Sequence, residues 1–226
     1  MLGTIVNSAT IIIGALIGIL FKKGIKEDYK NTIMDGIGLS VLVIGVSNAL
    51  EFENLVVVIV SIVIGSIIGE LIDINKRLNN LGDKLQSKFK NEEGNFPKGF
   101  VTASLVYCVG AMAIVGAIQS GLTGNHQTLY AKAVLDGITA IVFASTLGIG
   151  VMFSSLAVFL YQGIITIFAS SLSLILTEIA INEISSVGGI LIMAIGINLL
   201  GLKEIKIANM LPSIAIPLVY YFLLSL

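Results

Sequence analysis

The sequence predicts an all-α polytopic membrane protein of about eight spans. Three observations predict it: the composition, the length of the uncharged runs and the placement of lysine and arginine. Of 226 residues, 56% are hydrophobic and only 12% charged, against about 25% charged in a soluble domain. The mean hydropathy is +1.00. A water-soluble fold would lack the polar surface to cover such a core, whereas in lipid the apolar side chains can face outward. The unit of organisation is therefore the span, roughly 20 apolar residues crossing about 30 Å of hydrocarbon.

The first apolar run, 4–21, has no basic residue before it and is followed by Lys22 and Lys23. A secretory signal has the reverse charge order, so this run reads as span 1. A basic loop, 22–30, leads to span 2 at 33–50, which is short: only fifteen uncharged residues separate Asp35 from Glu51. Span 3 is 55–72. Leu71, Ile74, Leu78, Leu81, Leu85 and Phe89 then recur every three or four residues. They form one helical face, which either continues span 3 out of the membrane or lies on the membrane surface. Residues 91–98 read as a polar linker. Span 4 is 99–118, and 120–130 is a loop holding the single histidine, His126. Residues 137–177 are 41 positions without a charge, too many for one span and right for two. Gly148, Gly150, Ser154 and Ser155 offer the turn, so span 5 is 133–150 and span 6 is 153–176. A short acidic loop, 178–186, precedes span 7 at 187–202. Span 8, at 207–224, carries Pro212 and Pro217 and should be kinked.

Lysine and arginine concentrate in cytoplasmic loops. Four follow span 1, six follow span 3, two follow span 7, and Lys132 alone follows span 4. Eight spans with the N-terminus outside put twelve of the thirteen on the cytoplasmic side. Both termini are then expected outside.

Tyr29, Asp35, Gly36 and Ile37 recur at the same spacing as Tyr130, Asp136, Gly137 and Ile138. Upstream, Gly14-Ala15 resembles Gly110-Ala111. Spans 1–3 thus resemble spans 4–6, and because three is odd the second triplet starts from the opposite side, as in inverted-repeat transporters. The expected organisation is one membrane domain, 1–226. It comprises a first repeat at 1–73, an amphipathic cytoplasmic helix and linker at 74–98, an inverted second repeat at 99–177, and two C-terminal helices at 178–226.

Charges inside or bordering spans are costly and mark function more often than charges elsewhere. Asp35 and Asp136 each open a span, are followed by Gly36 and Gly137, and are related by the repeat. They read either as helix-end acids stabilising the dipole or as a cation or proton site, or a gate, at each mouth of a pathway. Glu70 and Asp73 border span 3 beside Lys76 and Arg77 and read as solvated ends. Among the amides, Asn7, Asn48, Gln119, Gln162 and Asn198 lie in or near spans. Asn48 and Asn198 sit in similar segments, 43–50 and 194–200. Asn48, Asn198 and Gln162, with Ser145 and Thr146, read as interhelical hydrogen-bonding groups or as pathway lining. Gly14-xxx-Gly18 and Gly65-xxx-Gly69 permit close helix contact. Gly188 and Gly189 can also let a helix break. Cys108, the single cysteine, lies in an apolar stretch and reads as packing.

There is no phosphate-binding loop, no His-Glu-x-x-His and no Gly-x-Ser-x-Gly. With one histidine, in a loop, an enzyme is not expected, and neither are a cofactor, a metal or a nucleic-acid partner. Residues Gly3 to Asn7 with Gly14 to Gly18, the Met34-Asp35-Gly36-Ile37-Gly38 segment, and the run from Ile195 to Gly201 resemble the YdfK/YqgA-like family of bacterial inner-membrane proteins of unknown function. The resemblance covers essentially the whole chain. It implies a multi-pass protein of the bacterial cytoplasmic membrane and supplies no activity.

The function these readings support is a small secondary transporter or channel for a cation or small solute. Its pathway would run between inverted repeats, with Asp35, Asp136, Asn48, Asn198, Gly36, Gly137, Ser145, Thr146 and Gln162 along it. A cation is a candidate because the acids are the charges expected to be buried. The alternative is a non-transporting scaffold or regulator acting through the amphipathic helix. The expected partners are the lipid bilayer, a small solute or ion, and further copies of the chain in a homo-oligomer.

Overall fold

In the computed structural model, residues 1–22, 27–86, 96–173 and 176–224 are described, and no strand occurs among them. The helices are α1 (Leu2–Lys22), α2 (Glu27–Ala49), α3 (Leu55–Ile72), α4 (Ile74–Gln86), α5 (Phe96–Cys108), α6 (Ala111–Leu122), α7 (Gln127–Leu147), α8 (Gly150–Ile167), α9 (Ala169–Leu172), α10 (Glu178–Leu199), α11 (Ile207–Met210) and α12 (Ile216–Leu224). A 3-10 turn, Leu211–Ala215, joins the last two. Among the described residues, seven segments are long and apolar enough to cross a membrane, and α5 with α6 makes an eighth if that bent pair is one span. The protein is thus a polytopic α-helical membrane protein.

Local chemistry sets the boundaries. The Asn54 side chain accepts from the Val56 amide at 3.0 Å to start α3, and the Thr177 hydroxyl accepts from Ala180 at 3.3 Å to start α10, as N-caps do. Gly148, at φ 79°, makes the turn between α7 and α8. Pro212 falls in the 3-10 turn, where the missing amide interrupts the α pattern of span 8.

Four expectations need correction. Span 4 is not one helix: α5 and α6 meet at a 60° bend. The segment 178–186 is not a loop but the first turns of α10, where Thr177 caps the helix and Glu183 is fully buried. The loop between spans 4 and 5 is shorter than 120–130, because both flanking helices run into it. Ser154 and Ser155 belong to α8 rather than to the turn, each hydroxyl bonding back to its own helix. The amphipathic segment is a separate helix, α4, set off from α3 by Asp73 in the left-handed conformation at φ 54°. The side chains of Leu81 and Leu85, the whole of Phe89, and the linker positions 91–95 lie outside the described residues.

The helices form two groups that cut across the 1–73 and 99–177 divisions. In one, α1 packs along α7 and α8, with α5 and α6 against α8. In the other, α2 packs along α10, and α3 packs against α11 and the 3-10 turn. Small residues make both seams. A β-carbon at Gly14 or Gly18 of α1 would collide with the Gly137 or Ile141 carbonyl of α7, and one at Gly189 of α10 would collide with the α2 backbone. Gly65 and Gly69 do the same for α3 against Ser213 and Asn209. Close backbone approach is how membrane helices gain packing energy where lipid removes the hydrophobic drive. The most enclosed helix is α10, 78% buried along its span, against 22% for α2.

The loops gather at two ends. At the lysine-rich end, Lys206 Nζ donates to Glu70 Oε1 at 2.6 Å. There Asn209 donates to Glu70 Oε2 and accepts from the Asn75 amide, both at 2.6 Å. At the opposite end, Glu183 Oε1 accepts from the amides of Glu53 at 3.2 Å and Asn54 at 2.5 Å, tying the start of α3 to α10.

Candidate functional site: a buried ion pair beside a broken helix

The glycine seam between α1 and α7 brings their backbones close enough for short polar side chains to meet. Asp136 of α7 and Lys132, one turn earlier, form an ion pair at 2.9 Å. The two side chains are only 8% and 7% exposed. Asn7 of α1 donates to the other Asp136 oxygen at 3.0 Å, and the same nitrogen lies 3.4 Å from Gln162 Oε1 of α8. Asn7 and Gln162 are completely buried. Towards the end of the same seam, the Thr4 and Thr166 hydroxyls stand 3.5 Å apart. The order is Lys132 to Asp136 to Asn7 to Gln162, and it leaves one acceptor, Asn7 Oδ1, and one donor, Gln162 Nε2, with no hydrogen-bond partner in the protein. Groups this buried are normally paired.

Beside this cluster span 4 breaks. Gly110 adopts φ 112°, a conformation that costs glycine little and other residues much. No side chain caps α6 at the break. Val109 fills the space over Gly188 of α10, where a side chain at 188 would collide with it. The half-buried Asn48 of α2 places its amide 3.6 Å from where a β-carbon on Gly110 would stand. Tyr107, fully buried at the end of α5, stacks on Phe143 of α7. Both halves of the broken span, α5 and α6, pack on α7, the helix that carries the ion pair, and broken helices are tolerated at membrane depth only where protein or a cavity surrounds them.

Of the residues singled out from the sequence, Asp136, Gly137 and Gln162 fall in this arrangement, and Asn48 borders the break. The others do not. Asp35 and Gly36 are exposed on α2, with nothing within 4 Å of where a side chain on Gly36 would start. They do not share a site with Asp136, because α7 is laid along α1 whereas no described residue comes within 4 Å of where a side chain on Gly36 would start. Asn198 closes the turn after α10, exchanging two 2.9 Å bonds with the Ile205 backbone. The hydroxyls of Ser145 and Thr146 bond to carbonyls of their own helix.

Three members were not picked out as site residues. Lys132, expected in an outer loop, is buried because α7 begins at Gln127. Its spacing of four from Asp136 was the available signal. Asn7 had none beyond being an amide in an apolar run. The break at Gly110 was marked only by glycine.

Fold and buried charges together define a multi-pass membrane protein with a polar site inside its helix packing. The chain belongs to the family described as "Protein of unknown function (DUF554)", which matches residues 2–222. It is 39% identical to "Uncharacterized membrane protein YdfK" of Bacillus subtilis (strain 168), over 99% of this chain and 97% of that protein. It is 28% identical to "Uncharacterized protein YqgA" of Escherichia coli (strain K12), over 96% of each. No solved structure matches.

Proposed function

We propose that this protein is a small secondary transporter or channel for a small polar solute, with its route between the break in span 4 and the Lys132–Asp136 pair. The observation that carries the reading is that pair, 2.9 Å apart and more than nine-tenths buried, with an unmatched donor and acceptor on Gln162 and Asn7 beside it. Ionisable groups in membrane spans are expensive and lie along substrate or proton pathways when they occur. A discontinuous helix with free ends near the bilayer midplane is the usual partner of such a site.

The burial of Lys132 changes which solute is favoured. A fixed cation site needs an uncompensated acid, and Asp136 is compensated. A neutral or zwitterionic solute with both a donor and an acceptor fits better. The inverted-repeat reading gains support from the directions of α2 and α7. They carry the matching Tyr, Asp, Gly and Ile, and they run oppositely between the two ends. By the distribution of lysine and arginine, the lysine-rich end is the cytoplasmic one and both termini are outside. The scaffold reading loses ground because α4 packs on α5 and α11 of its own chain. No step of catalysis is part of this proposal.

The test is osmotic swelling of liposomes carrying the purified protein, in gradients of glycerol, urea and glycine. Entry of at least one solute faster than in protein-free liposomes, abolished in Asp136→Asn, supports the reading. Equal rates with and without protein for every solute, together with no movement of protons read by a trapped dye, contradict it.

A further inference from the structure

We propose that a second copy of this chain docks on the exposed face of α2, so that the two α2 helices lie side by side in the membrane. The inference is independent of the transport reading and rests on a comparison among the spans. The exposed residues of 2–21 in α1, 55–68 in α3, 132–147 in α7 and 150–167 in α8 are apolar without exception, as contact with lipid favours. Small and polar residues of those helices, such as Asn7, Gly14, Ser61, Gly65 and Ser154, are buried instead. The span of α2, Asn31–Ala49, breaks this rule. Its buried face sets Gly38 and Gly45 against α10, but its exposed face mixes Leu39, Val43 and Val46 with Asp35, Ser40 and Ser47. Asp35 lies four residues inside the span, and its short side chain lacks the long stem by which lysine snorkels out. A carboxylate turned towards hydrocarbon is costly, so this face suits protein better than lipid.

The pattern of the face identifies its partner as another α2. Leu39, Val43, Val46 and Leu50 recur at spacings of four, three and four, the a and d positions of a left-handed helix pair, and each is 42–70% exposed. With Val43 at a, Asp35 falls at g and Ser40 at e of the following heptad, positions that face one another across a parallel pair. Copies inserted in one membrane share an orientation, so a twofold axis along the membrane normal makes their α2 helices parallel. Each Asp35 then meets Ser40 of the other copy, twice in the dimer. The Ser40 hydroxyl now donates to the Gly36 carbonyl at 2.8 Å. A turn about its Cα–Cβ bond brings it to the carboxylate, where the bond is charge-assisted and stronger. A face whose acceptor and donor complement each other about a twofold is what an isologous dimer requires.

The test is oxidative cross-linking of the full chain in membrane vesicles, in a Cys108→Ser background. Val43→Cys should form disulfide-linked dimers at least about tenfold faster than Ile13→Cys on α1 or Leu156→Cys on α8, because a docked copy holds the second thiol at high effective concentration. All three positions are well inside their spans and more than half exposed, so random collision treats them alike. A second readout is energy transfer between labelled copies in a micelle dilution series. There Ser40→Ala should weaken the dimer about eightfold, for two lost contacts of average size between membrane helices, and Ser40→Thr, which keeps the hydroxyl, should bind as the wild type does. Equal linking rates at 43, 13 and 156 overturn the proposal, and so does an unchanged dimer affinity in Ser40→Ala. Val43→Cys is a conservative change at an exposed position, so the first comparison does not depend on a variant that misfolds.

Discussion

Replacing Lys132 by Met and Asp136 by Asn, singly and together, separates what the ion pair does for the fold from what it does for function. At 2.9 Å and an effective dielectric of about 20, the attraction is about 6 kcal/mol. Removing each charge from water costs several kcal/mol, so the intact pair contributes a net stability near zero. Breaking it is different, because the surviving charge stays buried without a partner. Either single variant should therefore lose about 3–5 kcal/mol, and the double variant should stay within about 1 kcal/mol of the wild type. The coupling across the cycle should then be about 5 kcal/mol or more, the sum of the two single losses less that of the double. The assay is reversible unfolding in mixed micelles, followed by far-ultraviolet circular dichroism. Additive losses would refute the argument, since they would mean that neither charge depends on the other. The double variant also decides the role. If it folds and no longer conducts, the pair acts in transport; if it folds and conducts at the wild-type rate, the pair is structural and the route lies elsewhere.

Three further outcomes follow from the packing and the ends. In micelle unfolding, Gly14→Ala should cost about 1–3 kcal/mol by forcing α1 away from the Gly137 carbonyl. Gly36→Ala, which meets open space, should instead gain up to about 1 kcal/mol from helix propensity. Loss of stability in both, or in neither, contradicts the seam. Glu183→Ala removes the acceptor for two amides at the start of α3 and should cost about 3 kcal/mol. Glu183→Gln keeps a carbonyl oxygen there and should cost clearly less in the same assay. Burial raises the Glu51 carboxyl above its ordinary 4.5, and the nearby Ser185 side chain opposes the rise only in part. The folded state then binds the proton more tightly than the unfolded one, so stability is full below about pH 4.5 and falls as pH rises through the raised value. A pH series of unfolding midpoints should show that fall in the wild type and a smaller one in Glu51→Gln.

The spans were legible because apolar length and charge position are strong one-dimensional signals. The spans placed at about 55–72 and 207–224 match the candidate spans of the structure. The glycine pairs at 14 and 18 and at 65 and 69 were legible as seams for the same reason, since their spacing fixes one helix face. What failed was the placement of polar residues near helix ends. Glu183 and Lys132 were assigned to loops because charge alone drove the reading. In the structure, capping by Thr177 extends α10 outward, and α7 begins five residues before Lys132. Membrane helices can enclose such charges when a neighbouring helix supplies partners, and those partners, Asn7 for Asp136 and the Glu53 and Asn54 amides for Glu183, come from far along the chain. The match of Asp35 to Asp136 is a statement about sequence; their surroundings differ because α1 covers Asp136, whereas Asp35 is exposed among the described residues.

The central claim is that water reaches the buried cluster of Asn7, Lys132, Asp136 and Gln162 when the protein works. It is tested most directly by the reactivity of a cysteine placed there. In a Cys108→Ser background reconstituted in liposomes, Gln162→Cys, at a position completely buried in this structure, should react with a charged, water-soluble methanethiosulfonate. A control in the same background, Leu160→Cys, at a position 53% exposed on α8, should meet lipid and stay unmodified. A cysteine at 162 as inert as the one at 160 would contradict the account.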